Sequence, residues 1–189
     1  MAIRVCVAGV SGWTGGEVAR AVLACREFEL TGAVARRSAG RDVGELLGLP
    51  AQRVLVSGTL EQALARPADV LVDFTSPESV KQRALDALSR GVRVVVGMSG
   101  LTAADFQDIE RRATERGLGV IAAGNFSLTA ALAKHFALLA AKHLPSWEVI
   151  DYAHAEKPDA PSGTTRELAE ALGSRPDCGL IERLLDAAH

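Results

Sequence analysis

The sequence predicts an α/β fold, a doubly wound parallel sheet followed by a second, smaller unit. Three observations predict it. An apolar, β-branched run at residues 3–8 stops at glycines spaced G-x-x-G-x-x-G (Gly9, Gly12 and Gly15) and passes at once into helix-forming residues 17–24. Further short apolar runs then alternate with amphipathic stretches of helical period. Most of these runs end in glycine or a hydroxyl residue.

The first junction reads as strand, phosphate-cradling turn and helix, which makes the sheet one of the Rossmann type. Glycine is required where backbone N–H groups must approach a pyrophosphate, and the helix N-terminus then meets the anion. An ordinary turn with a glycine cap is the alternative. The second strand is expected at Phe28–Val34, followed by Ala35, Arg36 and Arg37. A carboxylate that binds a free ribose 2′-hydroxyl usually stands here, ~20 residues past the glycines. Cations in its place select a 2′-phosphate, hence NADPH with NADH the second choice; otherwise they are two solvated loop arginines. Residues 41–48 read as loop and turn, and 54–56 as a minor strand.

Residues 70–74 form a buried parallel strand closed by Thr75-Ser76-Pro77-Glu78. Ser76 can cap the helix that follows, Pro77 suits its first turn, and Gly91 ends it. The next strand, 92–96, exits through Gly97-Met98-Ser99-Gly100. Thr102 and Asp105 have the spacing of a capping box for a helix reaching Arg116. Residues 120–123 then lead into Gly124-Asn125-Phe126-Ser127. In an open parallel sheet the ligand crevice lies outside the carboxyl ends of the strands, so residues 9–14, Phe74-Thr75, 97–99 and 124–127 should gather along one edge. A helix rich in alanine and leucine (128–143), a strand at 147–154, a helix at about 165–172 and a last helix at 180–188 complete the pattern. Two domains are expected, 1–127 for the dinucleotide and 128–189 for substrate and subunit contacts.

Composition limits the class. The 189 residues are 48% hydrophobic and 23% charged with a net charge of −2, which suits a soluble globular protein and argues against nucleic acid or an anionic membrane as partner. No apolar run approaches the ~20 residues of a membrane span, and no charged-then-apolar leader precedes the first strand, so a cytoplasmic protein is expected. Cys6, Cys25 and Cys178 are widely spaced and without a C-x-x-C pair, so neither disulfides nor zinc are expected. His135, His143 and His189 read as core or surface residues, and no metal site is proposed. Asp73 reads as a backbone hydrogen-bonding residue at a buried strand end, not as one of a carboxylate pair with Asp159.

The segment 154–165 is the most unusual in the chain. It places His154, Lys157 and a hydroxyl-rich helix start close together, stiffened by Pro158 and Pro161. Ser162, Gly163 and Thr164 at a helix N-terminus would offer free N–H groups and a favourable dipole to a substrate carboxylate. Lys157, if partly desolvated, could give a proton. A capped surface helix behind a solvated loop is the alternative.

Gly9-x-x-Gly12-x-x-Gly15, Gly40-Arg41-Asp42-Val43-Gly44-Glu45-Leu46, Val72-Asp73-Phe74-Thr75-Ser76-Pro77-Glu78, Val96-Gly97-Met98-Ser99-Gly100, Ala123-Gly124-Asn125-Phe126-Ser127 and Lys157-Pro158-Asp159-Ala160-Pro161-Ser162-Gly163-Thr164, in this order, resemble the dihydrodipicolinate (4-hydroxy-tetrahydrodipicolinate) reductase family. The resemblance implies a Rossmann domain, a second α+β domain after the Asn-Phe-Ser hinge, a homotetramer, and a reductive step of lysine and diaminopimelate synthesis. It implies nucleotide contacts at Gly9, Val10, Ser11, Gly12, Trp13 and Thr14, at Arg36 near the 2′-position, at Gly97, Met98 and Ser99, and at Ala123, Gly124, Asn125 and Phe126. It implies Lys157 as proton donor, with the carboxylates of a small dicarboxylate imine held by His154, Gly163 and Thr164 beside Ser99 and Ser162.

Three departures matter. Members usually carry two adjacent histidines before the lysine loop, and the first position is Ala153 here. A positioned acid typically contributes ~10²–10⁴ in rate, so Lys157, Tyr152 or water must substitute, the substrate must differ, or turnover is impaired. Trp13 replaces an arginine common between the glycines. The family's second domain runs on past Gly179, so the chain reads as a divergent or C-terminally shortened member. The rivals to an active reductase are a nucleotide-binding relative without turnover and an acyl-phosphate reductase, since Gly12-Trp13-Thr14-Gly15 resembles the glycine loop of N-acetyl-glutamyl-phosphate reductase. The latter needs a cysteine nucleophile at the crevice.

Overall fold

The computed structural model describes residues 1–98, 101–144, 146–152 and 161–173. Ser99, Ala153, His154, Lys157, Asp159, Cys178 and the helix expected over 180–188 lie outside them. The chain divides into two compact units, Met1–Ala123 and a second that begins at Gly124.

The first unit is a six-stranded sheet in the order β3-β2-β1-β4-β5-β6, every pair parallel. Its strands are β1 (Ile3–Ala8), β2 (Phe28–Val34), β3 (Val56–Ser57), β4 (Val70–Asp73), β5 (Arg93–Val96) and β6 (Val120–Ala122). The helices between them are α1 (Trp13–Ala24), α2 (Val43–Leu46), α3 (Leu60–Ala63), α4 (Pro77–Ser89) and α5 (Ala103–Arg116). This is the doubly wound order, which reverses direction between β1 and β4 and so opens a crevice at their carboxyl ends.

Alternation along β1 shows why both faces are covered. Val5 and Val7 enter a core with Ala19 and Val22 of α1 and Val43 of α2, while Cys6 and Ala8 enter another with Val80, Ala84 and Leu88 of α4 and Ile109 of α5. Successive strand side chains point to opposite faces, so a strand covered on both must be apolar throughout. In β2 the alternation skips a residue: Val5 pairs with Leu30 but Cys6 with Gly32. Thr31 is the extra residue, and the bulge puts Leu30 and Ala33, three apart, in the same core.

Several local signals act as the sequence predicts. Thr102 accepts the Asp105 amide at 3.2 Å while Asp105 accepts the Thr102 amide at 2.9 Å, completing the capping box of α5. Gly117 then ends that helix in the left-handed region, φ 62°.

Other elements differ. Helix α1 starts at Trp13 rather than at 17, because the buried small residues Gly15 and Gly16 let its first turn pack directly on the loop after β1. The segment expected as loop at 41–48 contains α2, capped by Asp42, whose Oδ1 accepts the Gly44 amide at 2.8 Å. Helix α3, capped by Thr59, is a further short turn that periodicity did not reveal. The minor strand pairs at 56–57 rather than 54–56. Val54 and Leu55 turn instead toward residues 41–43 through Val43 N–H to Val54 O, at 2.8 Å, and an antiparallel bridge between Asp42 and Leu55.

In the second unit, α6 (Leu128–Ala140) and α7 (Gly163–Gly173) are joined by an ion pair between Lys134 and Glu167. Helix α6 is capped by Ser127 and ends before the expected residue 143. The strand expected from 147 does not form over its described part, 147–152. A strand exists only by pairing, and no strand of the described residues lies beside this segment. Among the described residues no helix is long and apolar enough to cross a membrane.

Candidate functional site

The loop after β1 is built by close approach. Gly9 has φ +88°, and a Cβ there would lie 2.4 Å from the Phe74 carbonyl oxygen; one at Gly15 would lie 2.2 Å from the Gly9 carbonyl oxygen. Backbone atoms occupy the space of both missing side chains, so the turn needs glycine at these positions. Gly9 N–H and Val10 N–H both point to Val34 O, at 2.9 and 3.3 Å, and Gly12 N–H bonds Gly9 O at 2.9 Å. Val10 is fully buried, so its side chain belongs to the core while Ser11, Gly12, Trp13 and Thr14 are exposed.

The start of α1 differs from its neighbours. Helices α2, α3, α5 and α6 each have a side-chain N-cap; Ser76, expected to cap α4, makes no side-chain cap bond, but α4 has Glu78 in its first turn, whereas α1 has Gly12 at the cap position, no cap bond and no acidic residue in its first turn. Its first amides, from Trp13 to Gly15, have no intrahelical acceptors, and the helix dipole adds to their positive potential. A cradle that a Cβ would fill, beside an uncapped twelve-residue helix, fits a dinucleotide pyrophosphate.

The other crevice residues meet this loop through β4. Phe74 N–H bonds Ala8 O at 3.0 Å, Gly97 N–H bonds Asp73 O at 3.0 Å, and Ala123 N–H bonds Val96 O at 3.2 Å. The residues that follow β1, β4, β5 and β6 therefore line one edge of the sheet. A Cβ on Gly97 would stand 2.1 Å from the Phe74 ring, so Phe74 fills the space between Gly9 and Gly97. Met98 is half-buried against the core. Arg36 is exposed in a single 3-10 turn (Arg36–Ser38) after β2, where Ala35 stands in place of a carboxylate. Glu78, in the first turn of α4, is held below the usual carboxylate range by the Ser76 hydroxyl and its own backbone amide, with a smaller effect from the Arg36 charge.

In the second unit the structure brings two expected groups together. Asn125 Nδ2 donates to Thr164 Oγ1 at 3.0 Å, and Asn125 Oδ1 accepts the Ser127 amide at 2.8 Å. The Thr164 hydroxyl keeps its own proton to donate. At the α7 N-terminus the Ser162 amide donates to Asp151 at 2.6 Å and the Ser162 hydroxyl accepts the Thr165 amide at 3.3 Å. The first-turn amides of Gly163 and Thr164 have no intrahelical acceptor. Gly124 and Phe126 are exposed.

Among the described residues neither cysteine is placed for a thiol mechanism. Cys6 is fully buried inside β1, and burial pushes its thiol up to about 12, whereas Cys25 caps the far end of α1. A nucleophile needs the thiolate at the crevice.

Sequence reasoning assigned no role to Arg83. Its Nη1 donates to Thr75 Oγ1 at 2.6 Å and bonds Ser79 Oγ. The spacing of Ser79 and Arg83, four apart on α4 and therefore on one face, was the available signal.

Comparison with known proteins agrees with this architecture. Residues 3–126 match the family described as dihydrodipicolinate reductase, N-terminus. A 4-hydroxy-tetrahydrodipicolinate reductase of Desulfitobacterium hafniense is 41% identical over 170 residues, covering 89% of this chain and 64% of the relative. One of Moorella thermoacetica is 38% identical over 175 residues, covering 92% and 65%. The chain thus spans less than two thirds of the length of these relatives. Among solved structures, a dipicolinate-bound dihydrodipicolinate reductase of a Paenisporosarcina species superposes with TM-score 0.75 at 33% identity, over 100% of this chain and 74% of that one. Glycine cradle, strand order and sequence agreement together place the chain in the dihydrodipicolinate reductase family.

Proposed function

We propose that the chain acts as an NAD(P)H-dependent reductase of a cyclic, conjugated imine dicarboxylate, the 4-hydroxy-tetrahydrodipicolinate reductase step of lysine and diaminopimelate synthesis. The observation that carries this reading is the uncapped α1 N-terminus behind a turn where only glycine fits at Gly9 and Gly15. Bound there, the dinucleotide supplies a hydride from its nicotinamide ring.

In this reading residues 1–127 hold the dinucleotide, with the pyrophosphate on residues 9–14, the 2′-phosphate on Arg36, and the nicotinamide half along Gly97, Met98 and Ser99 and residues 123–126. Residues 128–189 hold the substrate and form contacts of a homo-oligomer, a tetramer as the family resemblance implies, in the cytoplasm. Gly163 and Thr164 donate N–H groups to a substrate carboxylate, the Thr164 hydroxyl donates a further bond, and His154, Ser99 and Ser162 complete the polar shell. Lys157 gives the proton that accompanies reduction, a role that falls to it because Ala153 has none to give. NADPH is the preferred cofactor because Ala35 and Arg36 stand at the end of β2, where a carboxylate would bind a free ribose hydroxyl. NADH is the second choice of cofactor.

The test mixes protein with NADPH or NADH and the enzymatically generated imine dicarboxylate, and follows nicotinamide absorbance for wild type and Lys157→Ala. Oxidation lost on substitution supports the reading. Nucleotide binding without oxidation in either protein would instead identify a nucleotide-binding relative without turnover.

A further inference from the structure

Asp73 ends β4 in the middle of the sheet, between Ala8 of β1 and Val96 of β5, and is 1% exposed. Its Oδ1 accepts both the Thr75 amide, at 2.9 Å, and the Thr75 hydroxyl, at 2.5 Å. Its Oδ2 has no hydrogen-bond partner among the described residues. A buried carboxylate with half its acceptor capacity unused is costly, and an apolar residue would end this strand more cheaply. The nearby countercharge is Arg83, which reaches back along α4 to donate to Thr75 Oγ1 and Ser79 Oγ. The Thr75 hydroxyl thus gives its proton to Asp73 and accepts one from Arg83, which fixes its rotation.

The turn held in this way is the wall shared by the two glycine loops. The Phe74 carbonyl and Thr75 nitrogen press on Gly9, and the Phe74 ring occupies the space beside Gly97. A displacement of Thr75 would therefore be felt on both sides of the crevice. Interiors this closely packed pass small shifts on to their neighbours.

We infer that Asp73, Thr75 and Arg83 form a positioning relay for the dinucleotide: the carboxylate and the guanidinium clamp the Thr75 hydroxyl and so hold the β4–α4 turn in the shape against which the cofactor lies. The inference rests on the dinucleotide reading above and gives Asp73, Thr75 and Arg83 a role that the family resemblance does not assign. The relay acts on the crevice wall and not on the sheet, so its loss weakens nucleotide binding out of proportion to its effect on folding.

The experiment is calorimetric titration of the full chain with NADPH and with NADH, with thermal melting alongside, for wild type, Thr75→Val, Thr75→Ser and Arg83→Met. Loss of a charge-assisted hydrogen bond that fixes one geometry should weaken binding by roughly tenfold or more in Thr75→Val and Arg83→Met. Thr75→Ser, which keeps the hydroxyl, should bind as the wild type does. Unchanged affinity in both Thr75→Val and Arg83→Met overturns the relay and leaves the nucleotide reading standing. Equal weakening in Thr75→Ser and Thr75→Val points to packing alone and also overturns it. A wild type that binds neither nucleotide overturns both readings. Should Thr75→Val not fold, Arg83→Met against Arg83→Lys decides: affinity lost in the first and partly restored in the second supports the relay, and equal affinities refute it.

Discussion

Gly9→Ala tests the claim that backbone approach, and not loop flexibility, dictates the glycine turn. Two costs add. The residue has φ +88°, and a non-glycine residue in the left-handed region costs about 1–2 kcal/mol. The new Cβ would also sit 2.4 Å from the Phe74 carbonyl oxygen and 2.8 Å from its carbon, both backbone atoms that cannot rotate away. Relief requires moving the β4–α4 turn, an overpacking cost of about 1–3 kcal/mol. The sum is about 2–5 kcal/mol, a large share of the roughly 5–15 kcal/mol that holds a domain folded. Gly117→Ala is the control within the same unit: φ is +62° but nothing lies within 4 Å of its Cβ, so only the conformational cost applies. Urea unfolding followed by far-ultraviolet circular dichroism reads the difference. With a slope of about 2–3 kcal/mol per molar, Gly9→Ala should lower the midpoint by about 1–2 M and Gly117→Ala by less than about 1 M. Equal midpoints for the two variants would refute the argument, because the Phe74 carbonyl would then cost nothing.

Other consequences are as direct. Gly97→Ala should destabilise the fold by pressing on the Phe74 ring, and Phe74→Leu should relieve much of that cost, with a coupling of about 0.5–3 kcal/mol in a double-mutant cycle; additive effects would show that the two do not touch. The Arg4 guanidinium and amide hold the Asp69 carboxyl at about 2, against an ordinary 3.8. A carboxyl lowered on folding adds stability that is complete above its unfolded value and is lost as pH falls through the folded one. Acid unfolding of the wild type should therefore steepen between about pH 4 and pH 2, and Asp69→Asn should flatten that limb; identical limbs would refute the pairing. Arg36→Ala should weaken NADPH binding by about tenfold or more while leaving NADH binding nearly unchanged, measured by titration with both; a parallel loss would deny contact with the 2′-phosphate.

Much of the first unit is legible in the sequence alone. The boundaries of β1 and β2, the start of α4 at Pro77, and the capping box and glycine stop of α5 all follow from contacts within a few residues. Such signals are local, so they persist whatever the rest of the chain does. The glycine spacing and the absent carboxylate after β2 belong to the same class, which is why the cradle and Arg36 could be named from the string of residues. The segment proposed to hold the proton donor was equally visible as a pattern, though His154 and Lys157 lie outside the described residues.

Features that depend on partners distant in the chain could not be read this way. Residues 147–152 have the composition of a strand, yet no neighbouring strand among the described residues offers a ladder, and a strand forms only with a partner. Residues 54 and 55 had the right composition but were drawn toward Asp42 instead. Composition shows Asp73 as one acidic residue at the end of an apolar run. Only folding brings the Thr75 hydroxyl between the Asp73 carboxylate and the Arg83 guanidinium, puts the Phe74 ring beside Gly97, and sets Asn125 against Thr164. Short-range torsional and capping preferences thus wrote out the succession of strands and helices. Which side chains share a crevice depended on packing between segments tens of residues apart, where excluded volume and hydrogen-bond satisfaction select one arrangement that no nearby stretch encodes.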